Sequence, residues 1–231
     1  MNPLRSLFAA SCLLTASLAV AAGFEGKVTL ALTAGKAQPQ VLDYSIKDSA
    51  IRIDLSAEGQ AFASIMDLQK MEMTLLMPEQ QMYMVMPIKD KVEKAMDKAF
   101  ENDATIEKTG RTETILGYKC DEYLAKDRDV VTEIWVAEGL GSFMGLGSGG
   151  SPMGGMMGGK KRGSGWEEKF KGKPGFPLRV VSRDAKKRET FRMEATKVQP
   201  GSLPASLFQA PAGWQKFNMP NMGDMMKGFG G

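Results

Sequence analysis

From Phe24 to Met86 apolar and polar residues alternate, and the alternation breaks at short runs that favour turns. A period of two sends successive side chains to opposite faces of a strand. Tight hairpins at the breaks can therefore be tested for whether they keep the apolar residues together. A turn at Glu79-Gln80 pairs Met77 with Met82, Leu75 with Met84 and Met73 with Met86. A turn at Gln69-Lys70 sets Met66 against Met73, Ser64 against Leu75 and Phe62 against Met77. With Glu58-Gly59 as the next turn, Leu55 faces Phe62, Ile53 faces Ser64 and Ile51 faces Met66. With Asp48-Ser49, Ile46, Tyr44 and Leu42 face Ile51, Ile53 and Leu55. A first strand carrying Val28, Leu30 and Leu32 joins through the loop from Gly35 to Pro39. Each register follows from local turn chemistry, yet all preserve one apolar face, and a one-residue slip would invert any strand. A six-stranded antiparallel meander is predicted. The opposite face, with Lys27, Thr29, Asp43, Lys47, Arg52, Asp54, Asp67, Glu72 and Thr74, is expected to be solvated.

The pattern then changes period. Val92, Ala95, Met96, Ala99 and Phe100 follow helical spacing, and Asp90 with Glu93 forms a capping box, so an amphipathic helix is predicted over Asp90 to Asn102. Its mixed acidic and basic polar face favours packing across the apolar sheet face over lying on a membrane. Strand patterns resume in "TIEKTGRTETILGYKCDEYLAK", which alternates around Gly110 and Gly117, then in "VVTEIWVAEGL", "FPLRVVSRD" and "RETFRMEATKVQ". A proline-punctuated segment from Pro200 to Pro211 follows, with the short apolar turn "LPASLF". Strands, helix, strands make an α+β protein with a long curled antiparallel sheet.

The first residues point to a compartment. Met1 to Arg5 form a short positive stretch, Leu7 to Val20 an apolar one, and Ala19-Val20-Ala21-Ala22 a small-residue cleavage site. This is the pattern of a secretory signal peptide, too short to span a membrane, so residues 1–22 are expected to be removed and the protein to be periplasmic. The remaining 209 residues carry a formal charge of +2, too balanced for a nucleic-acid binder. Cys120 is then the sole cysteine, so stability comes from packing and not from an intramolecular disulfide. The chain has no histidine, which removes the usual general base and the commonest metal ligand and favours a non-enzymatic protein without a cofactor.

Methionine is concentrated in two kinds of setting. Residues 71–87 hold six methionines, and five of them, Met73, Met77, Met82, Met84 and Met86, fall on the apolar face of the predicted hairpin. Thioethers held among Leu, Ile and Phe in ordered strands make a pliable apolar wall. Residues 139–165 and 218–231 are instead glycine-rich and are expected to be a flexible insertion and a flexible tail. They carry Met153, Met156, Met157, Met219, Met222, Met225 and Met226, several at Met-x-x-Met spacing that lets neighbouring thioethers converge on a soft ion such as Cu(I) or Ag(I). Two nucleotide-binding patterns within the insertion are rejected. The run Gly145-x-Gly147-x-x-Gly150 precedes no helical pattern, and Lys161 stands where a phosphate loop needs Ser or Thr.

The segments "GFEGKVTL", "YSIKDSAIRIDL", "ASIMDLQKMEMTLLMPEQQMYMVMP", "KTGRTETILGYKCDEY", "TEIWVAEGLG", "FPLRVV" and "LPASLFQAPAGW" occur in this order. Together they resemble an uncharacterised family of secreted bacterial domains related to the lipoprotein-localisation (LolA/LolB-like) superfamily, over most of residues 23–217. The resemblance implies an incomplete β-barrel, a strongly curved antiparallel sheet whose concave apolar side is covered by helices. In the better-known relatives that cavity takes lipoprotein acyl chains. The glycine–methionine insertion and the tail depart from the relatives' pattern, and no arginine here maps onto their functional arginine.

These readings converge on one domain, residues 23–217, acting as a periplasmic binding protein for a lipid, acyl chain or other apolar ligand. The expected lining is Phe62, Met66, Met73, Leu75, Met77, Met82, Met84, Met86, Met96 and Phe100. Two alternatives stay open. One is a methionine-rich Cu(I)/Ag(I) protein using the insertion and tail. The other is an envelope interaction protein in which the same apolar residues form a closed core.

Overall fold

The computed structural model describes residues 23–35, 37–57, 60–89, 105–144, 166 and 175–217. Six strands form a first meander: β1 (Gly26–Ala34), β2 (Gln40–Lys47), β3 (Ala50–Ala57), β4 (Gln60–Asp67), β5 (Glu72–Met77) and β6 (Met82–Pro87). Five more form a second: β7 (Thr105–Ile115), β8 (Tyr118–Asp127), β9 (Val130–Ala137), β10 (Phe176–Arg183) and β11 (Glu189–Pro200). Antiparallel pairing of β1 with β11 joins the two meanders. A two-residue strand, β12 (Gln215–Lys216), adds parallel to β6, so one sheet runs in the order β12-β6-β5-β4-β3-β2-β1-β11-β10-β9-β8-β7.

The registers of the first meander are those the alternation dictates. Met77 pairs with Met82, Leu75 with Met84, Met73 with Met86 and Met66 with Met73. Ile51 pairs with Met66, Leu55 with Phe62, and Tyr44 with Ile53. Two connections are longer than the two-residue turns that produce the same registers. Pro78–Gln80 form a 3-10 turn closed by Gln81 in the left-handed region, and Met71 takes that conformation at the preceding turn. There the Asp67 carboxylate accepts from the backbone of Gln69 and Lys70 at 3.0 and 2.9 Å, a local bond that fixes the bend.

Burial decides the shape of the sheet. Val28, Leu30, Tyr44, Ile134, Val180 and Met193 are all sealed in one core although they come from both meanders. The Tyr44 and Phe176 rings meet edge to face with centroids 5.2 Å apart, yet β1 and β11 lie between their strands. In a flat sheet three strand spacings would separate them by about 14 Å. The sheet must curl to bring them together, and the concave side holds the core. Among the described residues nothing pairs β7 with β12, so the curled sheet is open and is not a closed barrel.

One expectation falls outside the described residues and one is corrected. Helices were expected over the concave face; the described residues contain 3-10 turns and no complete α-helix, and the helix predicted over residues 90–102 lies outside them. The outer face was expected to be solvated throughout. Instead Ala63, Ile65 and Leu76, the outer positions of β4 and β5, are buried beneath Phe208, Ala210 and Trp214, with Tyr83 alongside. The segment from Gly201 to Phe217 crosses this face as a strap. Glu25 holds its start, accepting from Lys47 Nζ at 2.6 Å and from the Leu203 amide at 2.5 Å. Arg52 donates to the Leu207 carbonyl at 2.9 Å, and the Phe217 amide donates to Tyr83 O at 2.7 Å. Lys47 of β2 and Arg52 of β3 therefore serve as anchors on the outer face, because their long side chains reach the Leu203 and Leu207 carbonyls in the part of the strap that has no ladder of its own.

Candidate functional site on the β4–β6 face

The concave face is sealed unevenly. Over β1, β2 and β3 the inward residues Val28, Leu30, Leu42, Tyr44, Ile46 and Ile53 are all at most 5% exposed. They are closed by an aromatic wall in which Phe143 stacks between Tyr44 and Trp166, at centroid distances of 5.7 and 5.8 Å, and meets Phe176 edge-on at 5.4 Å. The Met144 amide donates to Tyr44 Oη at 3.1 Å, which satisfies the buried hydroxyl.

Over β4, β5 and β6 the closure ends. Met73 and Leu75 are buried, whereas Phe62, Met66, Met77, Met82, Met84 and Met86 are half-buried. The eight sequence-derived lining residues in these strands thus share one face, with two in its floor and six grading towards solvent. Met96 and Phe100 lie outside the described residues, as do Met153, Met156, Met157, Met219, Met222, Met225 and Met226. The face carries no charged side chain at these positions, so what it offers a partner is apolar contact from thioethers that adapt their shape.

Polar chemistry lies at the other end of the sheet. On β7 the residues Thr109, Gly110 and Arg111 bulge opposite the single residue Glu122 of β8, and Gly110 takes φ 81°, which suits glycine. The bulge turns two side chains onto one carboxylate. Thr109 Oγ1 and Arg111 Nε each donate to Glu122 Oε2 at 2.5 Å, and Arg111 Nη2 pairs with Oε1. Glu122 is fully buried, and the guanidinium lies 5.9 Å from the centre of the Trp135 ring. Arg179 meanwhile bridges Glu113 and Glu194 at 2.9 and 3.0 Å, and their hydrogen bonds raise its affinity for its proton against the cost of burial. This constellation holds three carboxylates, Glu122, Glu113 and Glu194, in ion pairs with two arginines, Arg111 and Arg179. Among the described residues no group of three or more His, Cys, Asp or Glu is placed to hold a metal ion.

Alternation alone located the methionine face. The aromatic wall was missed, because Phe143 sits within a glycine-rich run and Trp166 in no periodic pattern. The "LPASLF" turn was the available signal for the strap, but nothing in it says which face it covers.

The family model described as "Domain of unknown function (DUF4412)" matches residues 24–214. The chain belongs to the DUF4412 family. No curated protein matches its sequence. Among solved structures, the DUF4412 chain is similar to an uncharacterised conserved protein from Thermus thermophilus, with TM-score 0.50 and 9% identity, covering 85% of this chain and 91% of that one. It also matches MucB in the Pseudomonas aeruginosa MucA/MucB complex at TM-score 0.47 and 13% identity, covering 86% of this chain and 60% of that one. A LolA superfamily protein from Nitrosomonas europaea matches at TM-score 0.31 and 13% identity, over 82% and 91% of the two chains. The DUF4412 chain thus spans less than two thirds of the MucB chain. At these identities the likeness concerns the fold alone.

Proposed function

We propose that this DUF4412 protein is a secreted, non-enzymatic binding protein that holds a lipid, an acyl chain or another apolar molecule against the β4–β6 face. The observation that carries the reading is the graded burial of that face. Met66, Met77, Met82, Met84, Met86 and Phe62 stay half-buried on a sheet whose neighbouring strands are sealed by an aromatic wall. A contiguous apolar patch left partly in water marks a site where something else completes the burial. Unbranched thioethers suit a ligand of variable shape, because they re-pack at small cost. The amphipathic segment predicted over residues 90–102 follows directly after β6, and its Met96 and Phe100 complete the proposed lining. The apolar stretch at residues 7–20, followed by small residues of cleavage-site type, supports a periplasmic location on this reading.

Native mass spectrometry of the full-length mature protein, purified from its own periplasm, tests the proposal. Mass adducts that organic extraction identifies as lipid or fatty acid support it, and Met84→Asp should lose them while keeping the far-UV spectrum of the fold. A bare protein that also fails to take up a fluorescent fatty acid would sink it.

A further inference from the structure

The strap changes faces at its end. Trp214 packs on the outer face of the sheet, against the cluster of Ala63, Ile65 and Leu76 that Tyr83 also joins. Gln215 then pairs with Met82 and Lys216 with Tyr83 in the parallel ladder, and the Phe217 amide donates to the Tyr83 carbonyl at 2.7 Å. Aligned residues of neighbouring strands share a face, and successive residues alternate between faces. Lys216 therefore belongs with Tyr83 on the outer face, and Gln215 with Met82 on the concave one. The same alternation brings Phe217 level with Met84 on the concave side. There its ring is 41% exposed, a large apolar group left in water at the rim of the methionine face.

Fourteen residues, Asn218 to Gly231, follow Phe217. They include Met219, Met222, Met225, Met226 and Phe229, and their one acid, Asp224, is balanced by one base, Lys227. Because β12 runs parallel to β6, it delivers this segment in the direction of Met84 and Met86. At about 3.3 Å per extended residue the segment reaches about 46 Å, against about 10 Å for the two strand spacings from β6 to β4. A segment without net charge also matches a face whose lining positions carry none. We propose that residues 218–231 dock on the half-buried methionine face of β4–β6 in their own chain, entering from the β12 edge. Tethered at the rim, the segment meets the face at an effective concentration on the order of millimolar, so weak contacts suffice. Thioethers on both sides re-pack against one another at small cost. The segment is then an occupant that an apolar ligand has to displace; that consequence rests on the ligand reading above, whereas the docking does not.

A spin label on the segment tests the docking in the full-length mature protein. Cys120 is sealed in the core, so Gly228→Cys supplies the thiol that a nitroxide reagent reaches. The methionine methyl groups are read by NMR after carbon-13 labelling. The nitroxide should broaden the methyl signals of Met66, Met84 and Met86. Phe217→Ser should weaken that broadening severalfold, while Lys216→Ser, on the outer side of β12, should leave it unchanged. Spin-labelled chain mixed with isotope-labelled chain that lacks the nitroxide should show none. The proposal is overturned if the nitroxide leaves these methyls sharp, as it would if residues 90–102 or another partner covered the face. It is also overturned if the mixed sample broadens them equally, which would assign the face to a second copy. Deleting residues 218–231 should raise uptake of a fluorescent fatty acid by about threefold or more. Equal uptake by the two forms overturns the displacement, and uptake by neither removes the ligand reading, while the methyl signals alone decide the docking.

Discussion

Arg111 and Glu122 form an ion pair whose two halves sit in different environments: the carboxylate is 0% exposed and the arginine side chain 64%. The bulge at Gly110 makes this pairing, since a regular strand would aim only one of Thr109 and Arg111 at Glu122. Arg111→Ala leaves a buried carboxylate with the Thr109 hydroxyl as its side-chain donor, and should cost about 3 kcal/mol of stability. Arg111→Met/Glu122→Leu should recover most of that loss, because it removes the charge together with its partner. Chemical denaturation of the three proteins, compared at their midpoints, checks both outcomes.

The aromatic wall should be the point at which the two meanders come apart. Phe143 contacts Tyr44, Trp166 and Phe176, which come from three separate stretches of chain. Phe143→Ala should destabilise the fold by about 3–5 kcal/mol through lost burial and the cavity left behind. Phe143→Leu should cost less, because it refills part of the space. Thermal unfolding followed in the near-ultraviolet, where the stacked rings contribute, distinguishes the two.

Acid should loosen the strap. The Lys47 ammonium, followed by the Leu203 amide and the Ser202 hydroxyl, holds the Glu25 carboxyl below the ordinary glutamate range. A carboxylate that binds its proton less tightly when folded stabilises the fold above its unfolded pKa. That contribution is lost as the pH falls through the ordinary glutamate range to the lower folded value. The emission difference between wild type and Trp214→Phe reports the strap, and it should shift on acidification through this window. Glu25→Gln should show the loosened signal already at neutral pH and no Glu25 component in the titration.

Cys120 should be inert in the folded protein. It is fully buried, and burial pushes its thiol above the ordinary cysteine range, so little thiolate exists at neutral pH. Ellman's reagent should label it only at the rate of unfolding. Rapid labelling of the native protein would contradict the placement of Cys120 in the core.

How much of this was legible in the sequence differs between elements for physical reasons. The pairing of Met73 with Met86 and of Tyr44 with Ile53 followed from period-two alternation, because shifting any hairpin by one residue exposes its whole apolar set. The outer positions Ile65 and Leu76 broke the alternation, but a single strand pattern does not say what covers them. Their partners Phe208 and Trp214 lie far along the chain and approach through backbone bonds to Arg52 and Tyr83. The wall behaves likewise: Phe143 and Trp166 sit at either end of a glycine-rich run, where no periodicity reports burial.

By itself the sequence determined the strand patterns, the neighbours within the first meander and the face on which the methionines lie. These are consequences of local turn geometry and of the alternation of side chains. Only the tertiary structure decided which part of that face is closed. Curling through the β1–β11 pairing brings Phe176 and Phe143 onto Tyr44 and seals one end. At the other end it leaves Met66, Met84 and Met86 half-buried, because closure depends on contacts between residues distant in the chain, which alternation does not encode.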